Sequence, residues 1–243
     1  GTFQSTLTNF RYLRKQWQKN AEEERLLGVS FTGIFDNALL RGGYGDPGPI
    51  LQELRDHAIH TNKEWANTLG IQQSAGVTCV KPSGTVSQLA GCSSGIHPSY
   101  SPYYFRTVRL DTKDPLCSFL KDSGVYSEPE QFHPETQQVF YFPTKAPEGS
   151  LTNDNLNAKE HFKLYLTYRK YWCEHNPSTT IYYTDDEFLS LGNDVWSNWD
   201  DVGGVSFLPR SDHVYKQAPY IPITKEEYEK EIAKFPKIDW EKF

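Results

Sequence analysis

The sequence has no methionine, no long apolar run and no cluster of basic residues. Its 243 residues carry a net charge of −6, with both signs spread along the chain. Proteins that bind DNA or RNA usually concentrate Lys and Arg on one face, so this pattern argues against a nucleic-acid partner. No segment approaches the run of about 20 apolar residues that a membrane span needs, and no signal peptide begins the chain. We therefore expect a cytoplasmic protein that works without membrane or nucleic acid.

Cysteine is also scarce. The four cysteines, Cys79, Cys92, Cys117 and Cys173, are widely spaced. Without a C-x-x-C pair, the spacing indicates neither a zinc site nor a disulfide framework. Cys79 and Cys92 flank a polar turn, which suggests a redox role, whereas buried inert thiols are the commoner case. We expect Cys117 and Cys173 to lie in the core.

A natural reading frame begins with methionine, whereas this chain begins with Gly1 and contains none. We therefore expect a processed product, a fragment or a shortened chain whose function depends on a part not present. The hydrophobic content of 37% and aromatic content of 14% are typical of a globular protein. A chain of this length can bury a substantial core.

Apolar periodicity and turn residues predict alternating helices and strands. The predicted helices cover 6–27, 47–69, 155–175, 185–199 and a short segment after Thr224. The predicted strands cover 28–34, 75–80, 139–143, 178–184 and 203–209. Thr184 with Glu187, and Thr224 with Glu227, have the spacing of capping boxes. This alternation predicts an α/β architecture with parallel strands, and no domain boundary is marked.

The stretch "VKPSGTVS" (80–87) follows a predicted strand and precedes one or two predicted helical turns. Such a turn leaves backbone N–H groups free beside the positive end of a helix. Ser83, Thr85 and Ser87 would add hydroxyl donors, and Gly84 would let the backbone approach a ligand closely. A phosphate would fit this arrangement. An ordinary strand-to-helix turn, with Ser83 or Thr85 as N-cap, explains the same residues.

Other side chains have both a functional and a structural interpretation. Lys81 would bring charge to a phosphate or be a solvated side chain at a strand end. His97 would face a ligand or be a hydrogen-bonded loop residue. Arg106 and Arg109 would reach a phosphate or a cofactor amide, or be polar members of a strand. Two further groups are better explained by helix-dipole and core-packing roles than by metal binding or base stacking: Asp185, Asp186 and Glu187, and Tyr100, Tyr103, Tyr104 and Phe105.

Several motifs together carry a family resemblance. The segment "VTCVKPSGTVSQLAGCSSGIHPSYSPYYFRTVRLDTKDPL" (77–116) resembles the adenosylcobalamin-dependent (class II) ribonucleotide reductases, in particular the monomeric ribonucleoside-triphosphate reductase type. The likeness continues in "FPTKAPEGS" (142–150), "YWCEHNPSTTIYY" (171–183), "GGVSFLPRSDHVYKQAPY" (203–220) and "EEERLLGVSFTGIFDN" (22–37). The resemblance covers nearly the whole chain, and the motifs occur in the same order as in the family. Together they are therefore far more specific evidence for the family than any one motif.

The resemblance implies an α/β fold, the C-terminal half of a ten-stranded α/β barrel, over residues 1–243. It implies reduction of ribonucleotides to 2′-deoxyribonucleotides with adenosylcobalamin as cofactor and thioredoxin or a similar dithiol as reductant. It also implies that the substrate phosphates are held by the loop Pro82, Ser83, Gly84, Thr85, Val86 and Ser87. Lys81, His97 and Arg106 are further candidate contacts to substrate or cofactor.

The resemblance also implies that this chain by itself lacks catalytic residues. The radical-bearing cysteine and the reducing cysteine pair would lie upstream, and the C-terminal cysteine pair would lie beyond residue 243. A matching N-terminal half would then act in trans. Two alternatives remain, namely part of the large subunit of an iron-dependent reductase, and a non-catalytic nucleotide-binding module. A half barrel exposes strand edges, so we expect poor solubility.

Overall fold

The computed structural model describes residues 1–210 and 215–243, which form two compact units. Unit 1 comprises Gly1–Ser99 and Glu148–Arg210, and unit 2 comprises Tyr100–Pro147 and residues 215–243. The sequence pattern gave no sign of this division.

Along the chain, the regular elements pass from unit 1 to unit 2, return to unit 1 and end in unit 2. The helices are α1 (Lys15–Glu24), α2 (Gly48–Leu69), α3 (Val86–Leu89), α4 (Pro115–Asp122), α5 (Ala158–Tyr171), α6 (Phe188–Ser197) and α7 (Lys225–Lys234). The strands are β1 (Val29–Ser30), β2 (Thr78–Cys79), β3 (Tyr103–Asp111), β4 (Ser127–Pro129), β5 (Gln137–Lys145), β6 (Ser178–Tyr183), β7 (Gly204–Pro209) and β8 (Tyr220–Pro222). None of the helices in the described ranges combines the length and apolar character that crossing a bilayer requires.

Unit 1 contains two pairs of parallel strands. β1 pairs with β2, with Val29 opposite Thr78, and β6 pairs with β7, with Ser178 opposite Gly204. Within the described residues each pair stands alone as a two-stranded sheet. The expected strand–helix alternation with parallel pairing is therefore confirmed here, while no closed sheet is present in the part of the chain that the structure describes.

The core of unit 1 is built around α5. Buried side chains of α5 pack with residues from the 3-10 helix Ile34–Asp36, from α2 and from β6; the largest are Phe162, Tyr165, Tyr168, Ile34, Phe35, Leu51 and Ile181. Just beyond α5, Trp172 is 3% exposed, and its Nε1–H donates to the carbonyl of Cys79 over 2.7 Å. This bond ties the end of α5 to the end of β2.

Unit 2 contains a four-stranded sheet in the order β4-β5-β3-β8, and every pair in it is antiparallel. The prediction of parallel strands is wrong for this unit, because a strand–helix alternation also fits a short helix beside an antiparallel sheet. Its buried apolar cluster is small: Cys117, Leu120, Val125 and Phe140.

Buried Gln217, at φ +59°, organises one end of the sheet in unit 2. Its Nε2 donates to Glu128 Oε1 over 2.7 Å and to the carbonyl of Pro129 over 2.8 Å, and its Oε1 accepts the N–H of Gln131 over 2.9 Å. Its own carbonyl accepts from Arg109 over 2.8 Å. One side chain therefore satisfies three groups of the segment 128–131.

Two helix starts differ from the prediction. The expected helix over 6–27 begins only at Lys15 and ends at Glu24, where Arg25 has a left-handed φ of +45°. Leu7 and Leu13 are 67% and 53% exposed, so the apolar periodicity of this segment meets no core. An isolated amphipathic helix gains little without such packing.

The other difference concerns Glu187. Here α6 begins at Phe188, and only one half of the expected capping box forms, since the Glu187 carboxylate accepts the N–H and hydroxyl of Thr184 at 2.9 and 3.0 Å. The same carboxylate also accepts the N–H of Ala158 over 2.8 Å. Burial alone would raise the pKa of Glu187, but these hydrogen bonds outweigh it and lower the pKa. The second box, Thr224 with Glu227 at the start of α7, is confirmed in both of its bonds.

Candidate functional site

The turn 82–85 lies directly beyond β2. Val80 is 1% exposed, whereas Lys81, Pro82, Gly84 and Thr85 are exposed. The chain then forms a single helical turn, α3, as the sequence predicted. A buried strand thus delivers a polar turn to the surface of unit 1.

The backbone of this turn keeps several donors free. Within the described part of the chain, no backbone carbonyl accepts from the N–H of Gly84, Thr85 or Val86. Thr85 is the N-cap of α3, yet its side chain makes no capping bond, so the structure does not have the capping arrangement that an ordinary turn predicts. A side chain at Gly84 would meet no atom within 4 Å, so open space lies over the backbone.

The hydroxyl groups of the turn are less free than we expected. Ser87 Oγ donates to the carbonyl of Ser83, and Ser94 Oγ donates to the same carbonyl over 2.7 Å. Ser83 Oγ lies 3.2 Å from Thr32 Oγ1, whose own hydrogen goes to the carbonyl of Ser93 over 2.9 Å. Ser83 is therefore the donor to Thr32, and the hydrogens of Ser83 and Ser87 both serve to shape the turn.

Two other loops of unit 1 support the turn. Asp36 accepts the N–H of Ser93 over 2.6 Å and the hydroxyl of Ser150 over 2.8 Å. Gly95 has φ +54°, and a Cβ there would lie 2.5 Å from the carbonyl of Lys81. Only glycine fits that contact. The loop 91–97 is thereby pressed against the strand end that carries the turn.

Lys81 is exposed beside the turn. Its N–H donates to Ser30 Oγ over 2.9 Å, and its carbonyl accepts the N–H of Ser83 over 2.9 Å. The backbone of Lys81 is thus part of the frame between β1 and the turn. Its exposed side chain stays a candidate contact.

His97 is held by two backbone groups. Its Nδ1–H donates to the carbonyl of Ser94 over 2.9 Å, and its Nε2 accepts the N–H of Thr180 over 3.0 Å. Burial lowers the pKa of His97, although the bond to Ser94 opposes the shift. Both ring nitrogens are occupied in the neutral form, which agrees with the hydrogen-bonded loop residue among the two interpretations.

A second histidine, His161 of α5, lies close to His97 and was not singled out from the sequence. The ring centroids are 6.5 Å apart. His161 Nε2–H donates to the carbonyl of Ile96 over 2.7 Å, and Thr179 Oγ1 donates to that carbonyl over 2.8 Å. Burial lowers the pKa of His161 to about 4. The sequence around His161 does not indicate its hydrogen bond to Ile96, because the two residues are 65 positions apart.

Arg106 and Arg109 lie on β3 in unit 2, and their guanidinium groups are used there. Arg106 Nη1 donates to the carbonyl of Pro219 over 3.0 Å, and its guanidinium lies 4.5 Å from the ring centre of Tyr220. Arg109 donates to Gln217 and lies 3.8 Å from Glu130 Oε1. These contacts agree with the structural interpretation of both residues as polar members of a strand.

The aromatic set near the start of β3 packs ring against ring within unit 2. Tyr103 lies 5.1 Å from Tyr228, and Phe105 lies 5.9 Å from Tyr141. Tyr100 and Tyr104 lie 5.5 and 5.4 Å from Tyr220. The set therefore packs among other aromatic side chains of unit 2, with Tyr104 buried and the other three residues half-buried.

All four cysteines are free thiols. Cys79, Cys117 and Cys173 are buried, and Cys92 is half-buried. Burial raises the pKa of Cys79, and it raises the pKa of Cys173 to about 12. A thiol with a raised pKa forms little of the nucleophilic thiolate, so Cys79 and Cys173 are inert core residues. In the described ranges no three His, Cys, Asp or Glu side chains come together as a metal-binding group.

A broad groove of about 1170 Å³ runs along α5 in unit 1. Its charged lining residues are Arg41, Asp46, Glu160, Lys163, Arg169, Lys170 and Asp201. Positive and negative side chains are mixed along the groove, so its lining does not indicate one class of ligand. No residue of the turn 82–85 lines it.

No family model matches the chain. The chain is 35% identical over 241 residues to the adenosylcobalamin-dependent ribonucleoside-triphosphate reductase of Lactobacillus gasseri. The aligned region covers 88% of this chain and 32% of that protein. It is 32% identical over 223 residues to the protein of that name from Euglena gracilis, covering 90% of this chain and 30% of that protein. The chain thus spans about a third of the length of these relatives.

A solved structure gives the same likeness. The crystal structure of a B12-dependent (class II) ribonucleotide reductase superimposes with a TM-score of 0.77 at 27% identity, covering 90% of this chain and 34% of that chain. The family resemblance seen in the motifs is confirmed. In the last of those motifs, "GGVSFLPRSDHVYKQAPY", residues 211–214 lie outside the described residues.

Proposed function

We propose that this chain, a relative of the class II ribonucleotide reductases over about nine tenths of its length, supplies the substrate-phosphate loop of such an enzyme. The reaction is reduction of a ribonucleotide, as the triphosphate, to the 2′-deoxyribonucleotide. The chain represents the C-terminal half of the catalytic barrel, works in the cytoplasm, and acts with adenosylcobalamin and a dithiol such as thioredoxin.

The observation that carries the proposal is the turn at the end of β2. The N–H groups of Gly84, Thr85 and Val86 have no backbone acceptor in the described chain, and open space lies over Gly84. Successive free N–H groups in a turn form a concave site for an anion. The phosphates of a nucleotide match this donor set better than any neutral group.

Holding the phosphates gives the chain a positioning role. A radical reaction at a ribose carbon requires a fixed short distance between that carbon and the abstracting atom. The rigid frame of Thr32, Asp36 and Gly95 keeps the turn at one place, so the ribose of a bound nucleotide is also kept at one place. Exposed Lys81 adds a positive charge beside the phosphates.

When bound, adenosylcobalamin supplies the radical by homolysis of its cobalt–carbon bond. His97 does not fit a cobalt ligand, because Ser94 and Thr180 occupy both of its ring nitrogens. We therefore assign to His97 the support of the loop behind the turn, and to this chain the binding and orientation of the substrate.

Complementation tests the proposal. This chain is mixed with the matching N-terminal part of a relative, adenosylcobalamin, a dithiol and CTP, and formation of the deoxynucleotide is measured. Product is the expected result. A requirement for a radical-bearing partner subunit instead of adenosylcobalamin would favour the iron-dependent class, and nucleotide binding without product would favour a non-catalytic module.

A matched pair of variants connects the assay to the turn. Gly84→Ala places a methyl group where the phosphates are proposed to lie, and nothing in the fold resists it. We expect KM or Kd for the nucleotide to rise about tenfold, which corresponds to a loss of about 1.4 kcal/mol of binding free energy. Gly192→Ala, also without an atom within 4 Å of the new Cβ, is the control and should behave like the unchanged chain. If both variants bind the nucleotide equally well, the turn is not part of the substrate site.

A further inference from the structure

A small apolar groove lies beside α6 in unit 1. Its volume is about 280 Å³, and no charged side chain of the described residues lines it. Tyr183 of β6 and Phe207 of β7 contribute to the lining, and α6 with the 3-10 helix Trp199–Asp201 contributes the rest. The groove is therefore formed by one helix lying across one pair of parallel strands.

Three aromatic side chains of the groove remain exposed to solvent. Phe188 is 56% exposed, Trp196 79% and Trp199 65%. The ring of Phe188 lies 5.7 Å from that of Tyr183, and the rings of Trp196 and Trp199 are 6.5 Å apart, centre to centre. Exposed apolar groups that gather around a groove mark a binding surface, whereas isolated ones do not. Aromatic residues are also the type most enriched at the centre of protein interfaces.

The surroundings of the groove are acidic. Between residues 171 and 209 the sequence contains seven Asp or Glu and no Lys or Arg. Asp185 and Asp186 lie just before α6, and Asp200 and Asp201 lie just after it, so carboxylates are placed near both ends of the helix. All four are exposed, and none forms an ion pair with a residue that the structure describes.

We infer that this groove binds a basic amphipathic helix of a partner protein, with apolar side chains in the groove and Lys or Arg beside the carboxylates. Recognition of this kind places apolar anchors from one helix face into a groove. Opposite charges around it speed association and fix the orientation. The ten residues of α6 are about 15 Å long, which matches about three turns of a partner helix. The inference goes beyond the proposed function and involves no residue of the turn 82–85.

The charge of the surroundings distinguishes this partner from other occupants. A second copy bound through the same face would bring two acidic surfaces together, and like charges facing each other are unfavourable. An anionic lipid surface would be repelled by the same carboxylates. Asp194 of α6 is already paired with Lys159 over 3.2 Å, so the four exposed carboxylates remain for a basic partner.

The test uses the full 243-residue chain and a dye-labelled synthetic peptide, with binding followed by fluorescence anisotropy. The probe is a helical peptide of leucine and lysine with the leucines on one face, and a scrambled peptide of the same composition lacks that face. The scrambled peptide should bind about tenfold more weakly or less. Trp196→Ala should weaken binding of the probe about tenfold, because aromatic anchors carry much of the binding energy. Trp65→Ala, at a tryptophan 55% exposed on α2, is the matched control and should bind like the unchanged chain.

A second pair of variants tests the carboxylates. Asp200→Asn combined with Asp201→Asn should weaken binding of the probe about fivefold and make it less sensitive to salt. Glu53→Gln combined with Asp56→Asn removes the same charge from exposed positions of α2 and should leave binding unchanged. The melting temperatures of all these variants should stay near that of the unchanged chain, because the substituted side chains are exposed.

Three outcomes would overturn the inference. Equal binding of the probe and the scrambled peptide, or an equal loss in Trp196→Ala and Trp65→Ala, would show charge attraction without a specific groove. Dimers of the chain that Trp196→Ala dissociates, seen by analytical ultracentrifugation, would assign the groove to a second copy. Displacement of the probe by the matching N-terminal part of a relative would make the groove an internal surface of the reductase. The proposed function is tested separately by Gly84→Ala, so it stands whichever of these results is obtained.

Discussion

Unit 1 and unit 2 use different interactions to hold their strands. Unit 1 surrounds α5 with a large cluster of buried aromatic and aliphatic side chains, while unit 2 has a small apolar cluster and a buried glutamine that satisfies three groups of one segment. The unit with the larger core also carries the turn proposed to hold the substrate. In unit 1 the buried cluster supports the strand ends, and hydrogen bonds between the loops give the turn its shape.

The largest effect is expected from the core of unit 1. Phe162 is 2% exposed and stacks on Tyr165 with ring centroids 6.1 Å apart. Phe162→Ala should lower the free energy of unfolding by about 3–5 kcal/mol, because a cavity remains where the ring was. Urea denaturation measures the loss, and hydrogen exchange should show weaker protection of β6.

Phe3→Ala, at a phenylalanine 72% exposed in the same unit, is the control and should change stability by no more than about 0.5 kcal/mol. Equal effects of the two substitutions would contradict the picture of unit 1 as stabilised by its core.

The next effect depends on pH and concerns His161. The pKa of His161 is lowered from 6.5 to about 4 by burial, so the unfolded state binds a proton first as the pH falls. Above pH 6.5 neutral His161 makes its full contribution to the free energy of unfolding. As the pH falls from 6.5 to 4, about 3 kcal/mol of that free energy is lost. The nearby titratable ring is His97, whose pKa is also lowered.

His161→Gln keeps an amide N–H for the carbonyl of Ile96 and should flatten the stability profile between pH 6.5 and 4, as measured by thermal melts across this range. His57→Gln changes an exposed histidine and should leave the profile as it was. An unchanged slope in His161→Gln would show that His161 titrates normally in the folded chain.

The smallest of the three effects belongs to unit 2. Gln217→Leu leaves the N–H of Gln131, the carboxylate of Glu128 and the carbonyl of Pro129 without the bonds that Gln217 makes. We expect a loss of about 2 kcal/mol, since water reaches part of this segment and replaces some of the bonds. Denaturation followed by the near-ultraviolet signal of the tyrosines on β3 measures it.

Gln131→Leu, which changes an exposed side chain and keeps the N–H that Gln217 accepts, is the comparison for this variant. If Gln131→Leu lowers the free energy of unfolding more than Gln217→Leu does, the amide of Gln217 does not organise unit 2.

Local signals in the sequence predicted several elements correctly. Pro47, Pro49 and Gly70 mark the ends of α2, and the spacing of Thr224 and Glu227 produces the full capping box of α7. These features depend on neighbours within a few residues, so a pattern along the chain is enough to find them. The motifs likewise indicated the reductase family and the turn after β2.

Other features depend on partners that are distant in the sequence. The Thr184–Glu187 pair had the spacing of a capping box, yet the carboxylate of Glu187 is also used by the N–H of Ala158, and α6 starts later. Asp36 likewise takes its place in the frame of the turn through the N–H of Ser93 and the hydroxyl of Ser150, which lie 57 and 114 residues away in the sequence.

The hydrogen bond from Trp172 to the carbonyl of Cys79 has a practical consequence. The chain has six tryptophans, and Trp172 is 3% exposed while the other five are between 55% and 79% exposed. Iodide in solution therefore quenches the fluorescence of those five, and the remaining blue-shifted emission belongs to Trp172. Because its indole is hydrogen-bonded to the last residue of β2, this emission is an intrinsic optical probe of the strand end that precedes the turn, and the proposed nucleotide site can be tested with it without a label.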